Sequence, residues 1–259
     1  MSDTDGRKLT RRQVLAAAAG IAGTTSAPMM ASDAHPTTAG GGDRWLVVGA
    51  HPDDEAKSTA LLLKERKPGD EVTVMIMRLC GEGKLYDRPS WTRHEAIAAR
   101  SYEMREAASF MNATLRWWLP PHPDNKNIVR TEETVEKMLG ILREIRPTRI
   151  VANWREDSHP DHVGVGEVVG EAVRRWHVPG GVPVYWFGTP GRPKAQPNFT
   201  PNHFVDISEP ADLAAVLWSR IVHRCQAEFS AIKAHIQYYH DHGQKIGVRF
   251  AAGYVLERL

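Results

Sequence analysis

The sequence predicts an α/β fold: a mostly parallel sheet with helices on both faces, three layers in a single domain. Three observations predict it. Short apolar runs alternate with helical stretches of ten or more residues along 44–259, the signature of βαβ units. The runs are short, continuous and rich in Val, Ile and Leu, as buried strands are. Two motifs crowded with titratable side chains follow strands directly, and open parallel sheets bind their ligands beyond the carboxyl ends of their strands.

The elements follow in order. Residues 45–49 (WLVVG) read as the first strand, and 58–66 as a helix ended by Pro68-Gly69. Residues 71–79 form a second strand, 91–111 a periodic helix, and 114–119 a third strand stopped by Pro120-Pro121. A helix over 132–145 ends before Pro147, and 149–153 is the fourth strand. A helix over 163–176, a fifth strand over 182–187, a Pro- and Gly-rich loop over 190–201, a short strand at 204–206 and one long helix from 209 to about 239 complete the expected pattern.

Residues 1–34 are expected to be an address and not part of the fold. Arg7, Lys8, Arg11 and Arg12 precede a short apolar stretch, Val14 to Ile21, shorter than the ~20 residues that span a bilayer. The run from Leu9 to Leu15 resembles a twin-arginine export signal, which implies an exported protein, periplasmic or extracellular. Residues 35–43 read as a flexible linker with three consecutive glycines, and the domain as 44–259. No later apolar run has the length of a membrane span, so no stable membrane insertion is expected after signal cleavage.

Composition narrows the function. A net charge of +2, with Lys and Arg spread along the chain, gives no footprint for nucleic acid. Cys80 and Cys225 form neither a CxxC pair nor a finger spacing. Nothing in the sequence sets an oligomeric state.

The chemistry sits in two motifs. Ala50-His51-Pro52-Asp53-Asp54-Glu55 follows the first strand and puts four titratable side chains in five residues. Burying them behind an apolar strand is costly unless they coordinate something. The motif can supply one His ligand, one carboxylate ligand and one free carboxylate as base. An acidic turn capping the next helix would have the same spacing. Asp157-Ser158-His159-Pro160-Asp161-His162 follows the fourth strand, with Pro160 suited to a first helical turn. There two His three residues apart can divide metal binding and contact with the reacting group; a polar capping turn is the alternative.

HPDDE at 51–55 and HPDH at 159–162 resemble the two signatures of the PIG-L/LmbE-like N-acetylglucosaminyl deacetylases. Weaker matches keep the family order: Gly81-Glu82-Gly83, Arg100-x-x-Glu103, Arg146-Pro147, Val205-Asp206-Ile207-Ser208 and His223-x-x-Gln226. The resemblance implies a Rossmann-like fold and one Zn2+ per chain held by His51, Asp54 and His162. It implies that Asp53 is the general base, that His159 stabilises the oxyanion or donates a proton, and that Asp161 orients His159. The expected reaction removes an N-acyl group, acetyl foremost, from a small amino-sugar compound. Cys225 replaces a common Ser, and Ala251-Ala252 an Ala-Glu pair; both departures bear on substrate detail.

Arg78, Glu82, Arg100 and Trp154 are the candidate substrate contacts, with Trp91, Trp117 and Trp118 as weaker stacking candidates. His203 and His223 could reach the cleft, whereas His235, His240 and His242 read as structural near a helix end. Rival readings are an amidase acting on another sugar-linked or antibiotic amide, a metal-dependent phosphoesterase, and a metal-free degenerate sugar-binding module.

Overall fold

The structure, a computed structural model, describes residues 41–79, 92–118, 127–189, 196, 198–223 and 229–259. The expected signal, most of the linker, Cys80, Glu82 with its flanking glycines, Trp91, Cys225 and Gln226 lie outside the described residues. The described residues belong to one compact unit. Among them no helix is long and apolar enough to cross a membrane.

Seven strands form one sheet in the order β3-β2-β1-β4-β5-β7-β6. β1 (Arg44–Gly49) is central and pairs in parallel with β2 (Glu71–Ile76) and β4 (Arg149–Asn153). β3 (Thr114–Trp117) extends the parallel set beyond β2, and β5 (Pro183–Phe187) extends it beyond β4. β1 shows why the sheet is three-layered. Leu46 and Val48 are fully buried in one core with Met138 and Leu142 of α3 (Glu132–Ile145) and Val165 and Val169 of α4 (Pro160–Trp176). Trp45 and Val47 enter a second core, on the other face. There they join Leu61 of α1 (Thr59–Glu65), Met104 of α2 (Arg93–Phe110), Val216 of α5 (Pro210–Ile221) and Tyr239 of α6 (Phe229–Ile246). Successive strand residues face opposite sides, so one apolar run feeds two cores. The helices start where the sequence can cap them. Thr92 and Glu95 form a reciprocal capping box on α2, and Thr131 with Thr134 does the same on α3.

Three expectations change. The sheet has a strand that the periodicity did not predict: β7 (Ala251–Arg258) runs antiparallel between β5 and β6 (His203–Asp206). Its Ala-Ala-Gly start has weak strand propensity. Gly253 is needed there, because a Cβ would meet the His242 ring at 2.8 Å. The single long helix from 209 is two helices, α5 and α6. The helix expected at 58–66 is a 3-10 turn over Asp54–Ser58 running into α1, so the first motif is itself part of a helical entry.

Strand order reverses at β1 and β4, which leave in opposite directions to β2 and β5. The crevice between their carboxyl ends is where such a fold binds ligands, and it is where both motifs stand. Asn153, the last residue of β4, accepts the Ala50 backbone N–H at 3.0 Å and ties the two motif loops together.

Candidate active site

Three imidazoles meet in this crevice. The His51 and His159 ring centroids are 4.8 Å apart, His159 and His162 4.7 Å, and His51 and His162 5.5 Å. One ligand atom from each can be chosen so that all lie within 4.8 Å of one another. Asp54 stands against this triad, its Oδ1 3.5 Å from His162 Nε2 and its Oδ2 4.0 Å from His51 Nδ1.

Outer partners decide which nitrogens are open. His51 Nε2 is 2.8 Å from the Asp161 carboxylate, and His162 Nδ1 is 3.2 Å from that of Asp157. A carboxylate draws the ring proton to the nitrogen it faces, leaving the opposite nitrogen with its lone pair. That lone pair is on His51 Nδ1 and on His162 Nε2, both turned toward Asp54. Two imidazoles and a carboxylate, each imidazole backed by a second carboxylate, fit the donor set of zinc. His159 is wired differently. As the N-cap of α4 it accepts the Asp161 backbone N–H on Nδ1 at 3.2 Å. A nitrogen that accepts cannot carry the proton, so Nε2–H is a donor and not a ligand. Burial, and then the neighbouring His51 and His162, pull its pKa down to about 4, so the ring is neutral at neutral pH.

The hydrogen bonds of the Asp161 carboxylate go to groups other than His159, the ring it was expected to orient, and its charge still acts on that ring. The carboxylate accepts from Arg78 Nη1 at 2.7 Å, from the Ile128 backbone at 2.7 Å and from His51. The reason is local: on the first turn of α4 only its backbone N–H reaches back to the cap, while the side chain turns to β1 and β2. Burial would raise its pKa, but His51, Ile128 and Arg78 hold it far below the usual carboxylate range. Asp157 is held at about 2 against its burial, chiefly by His162.

Asp53 occupies left-handed backbone at φ 108°, costing on the order of 1–3 kcal/mol for a residue with a Cβ. Arg220 of α5 donates to both its carboxylate and its carbonyl. Burial raises the Asp53 pKa, but Arg220, with Lys57 and Arg100, outweighs it and leaves the group below its ordinary value. Glu55, fully buried, accepts the Asp53 backbone N–H at 2.9 Å and binds His223 through its other oxygen. Burial opposes a charge on His223, yet Glu55 overcomes it and raises the His223 pKa.

The other candidates divide. Arg78 reaches the site through Asp161, and Arg100, almost fully buried on α2, acts on Asp53. Trp154 is 4% exposed; it packs edge-on to Phe199 with Arg155 over its ring, which leaves no face for a sugar. Trp118 is likewise core, under Lys137. His203 does not reach the cleft: Glu65 holds it at 2.5 Å beside Arg149, the first residue of β4. His235, read as structural, is buried near Arg220 and Lys57, which together with burial lower its pKa to about 3. Sequence reasoning missed Lys57, Arg220 and the pairing of Glu55 with His223. Glu55 and His223 carried a signal in their motifs; Arg220, 167 residues from Asp53, carried none.

The fold and this site define a three-layer α/β protein with a histidine-carboxylate cleft at its switch point. Residues 46–173 match the family described as PIG-L, GlcNAc-PI de-N-acetylase, and the chain belongs to this PIG-L/LmbE-like family. It is 29% identical over 160 residues to a 1D-myo-inositol 2-acetamido-2-deoxy-alpha-D-glucopyranoside deacetylase of Corynebacterium urealyticum, covering 51% of this chain and 48% of that one. The match thus spans about half the length of that relative. Among solved structures, the N,N'-diacetylchitobiose deacetylase of Pyrococcus horikoshii has a TM-score of 0.67 at 22% identity, covering 84% of both chains. The 4-carboxy-2-hydroxymuconate hydratase of Pseudomonas putida KT2440 has a TM-score of 0.63 at 19% identity, covering 84% of this chain and 98% of that one. At these identities the structural likenesses speak for the fold alone.

Proposed function

We propose that the protein is a zinc-dependent hydrolase that removes an N-acyl group, acetyl foremost, from a small N-acetylglucosamine-type compound. The observation that carries this reading is the convergence of His51 Nδ1, His162 Nε2 and the Asp54 carboxylate beside a further carboxylate, Asp53, held by Arg220, and one N–H donor, His159. The family match and the deacetylase named among its relatives favour the same class.

An amide resists hydrolysis because its carbonyl is a weak electrophile and its amine a poor leaving group. Held by His51, Asp54 and His162, zinc would polarise the acyl carbonyl and bring the pKa of a bound water to about 7. Asp53, kept ionised by Arg220, accepts the proton of the attacking water. His159 Nε2–H donates to the carbonyl oxygen as negative charge builds there. The ring is neutral, and the Asp161 N–H fixes its direction. The proton taken by Asp53 then passes to the departing amine. Asp157 and Asp161 hold the ligand rings.

The test is acetate release from a panel of N-acetylglucosamine compounds by the purified domain, with and without a chelator, alongside zinc content. About one zinc per chain with chelator-sensitive release supports the deacetylase. Zinc without release moves the assignment to another amide, or to the hydration chemistry named for the Pseudomonas putida neighbour. No zinc after add-back overturns the metal site.

A further inference from the structure

Asp54, one of the proposed zinc ligands, already has a cation on it. Its Oδ2 accepts the His51 backbone N–H at 3.0 Å. Its Oδ1, the oxygen that faces His162 Nε2, takes Lys57 Nζ at 2.5 Å. Lys57 lies three residues further along the 3-10 turn, with its side chain 7% exposed. Among the described residues Asp54 is its ion-pair partner. A buried ammonium on one carboxylate oxygen and a divalent ion on the same oxygen would stand a few ångströms apart. In a partly desolvated site that repulsion is large and poorly screened.

A surface lysine would swing into water. Lys57 has another exit. Its Nζ lies 5.3 Å from the centroid of the Phe187 ring. Lys57, Phe187, Tyr238, Tyr239 and Tyr254 line a small recess. An aromatic face holds an ammonium by cation–π attraction at little cost. The Tyr254 hydroxyl donates to the Lys57 carbonyl at 2.8 Å, so the backbone stays fixed while the side chain moves.

We propose that Lys57 is an internal competitor for the metal site. Its ammonium neutralises Asp54 in the metal-free protein and must leave Oδ1 for the recess when a divalent cation binds. Lys57 therefore sets the metal affinity below what His51, Asp54 and His162 would give alone. Occupancy then follows metal supply over the range this competition fixes. This rests on the metal-site reading above.

The experiment uses the zinc-free protein titrated with zinc against a chromophoric chelator, with thermal melts to establish that each variant folds. Lys57→Met and Lys57→Gln remove the charge in two ways and are expected to bind zinc on the order of tenfold tighter; Lys57→Arg, which keeps a cation there, stays near wild type. Neutral variants that bind zinc equally or more weakly overturn the proposal, because Lys57 would then only position Asp54. His51→Ala separates the two levels. If it abolishes zinc binding while the neutral variants leave affinity unchanged, the metal site stands and the Lys57 proposal alone falls. If His51→Ala keeps its zinc, the metal-site reading itself falls.

Discussion

Two ionic networks sit at opposite ends of the same strands, and they differ in what they leave open. At the amino ends, Glu65 binds His203 at 2.5 Å and Arg149 at 3.1 Å, Arg149 binds Asp43 at 2.8 Å, and the Tyr185 hydroxyl lies between Glu65 and Arg149. Each charge there faces an opposite charge, and no two histidines meet. At the carboxyl ends, carboxylates are spent on the far nitrogens of His51 and His162, so that the near nitrogens turn to one another. The first arrangement is closed and the second is unsaturated. A cluster of charged and histidine side chains is therefore not evidence of a site; ring nitrogens turned toward one another are.

The largest expected effect is His51→Ala: zinc content falls to background and acetate release is lost, measured by metal analysis and activity on the same sample. Retained zinc would break the distinction between the two networks. Asp53→Asn comes next. Asn tolerates left-handed backbone, so the strained position survives and only the charge changes. The rate is expected to fall about 10²–10⁴-fold, the usual contribution of a general base, with zinc retained. Near wild-type turnover would remove Asp53 as the base.

A smaller effect is a pH dependence of stability. Burial holds His159 and His242 at about 4 and His235 at about 3, below the ordinary 6.5. The unfolded chain therefore binds more protons between about 6.5 and 4. Stability of the zinc-free protein should be full above 6.5 and decline as pH falls through 4, read as the urea midpoint. Replacing His242, which packs on Tyr238 at 4.2 Å, with Phe should flatten part of that decline; an unchanged slope would place the proton uptake elsewhere. The smallest effect belongs to the closed network. Glu65→Gln should cost about 1 kcal/mol of stability by denaturant titration and leave activity untouched. A loss of turnover there would mean that the amino-end network reaches the cleft after all.

Much of the fold was legible because buried parallel strands announce themselves as short apolar runs. The two motif loops were legible because titratable residues directly after such runs are costly to bury unless they bind something. What failed was non-local. β7 begins Ala-Ala-Gly and becomes a strand because β5 and β6 each offer it an edge. Arg220 has meaning only once α5 is laid beside the first motif. Asp161 was expected to serve its sequence neighbour His159, but its carboxylate serves His51, 110 residues away, because a helix cap uses backbone nearby and side chains across the cleft.

The place of β7 also governs how the chain must be assembled. β6 pairs with β7 and not with β5, so a strand synthesised earlier waits for one synthesised nearly fifty residues later. On the ribosome the parallel strands from β1 to β5 can zip in step with translation. β6 has no hydrogen-bonded neighbour in the sheet until residues 251–258 emerge, whereas α5 can already pack on α1 and the first motif. Arg220 and His223 travel with α5, so Asp53 and Glu55 are without their cations until it emerges. The cleft is wired late, when α5 is laid on α1 and the first motif.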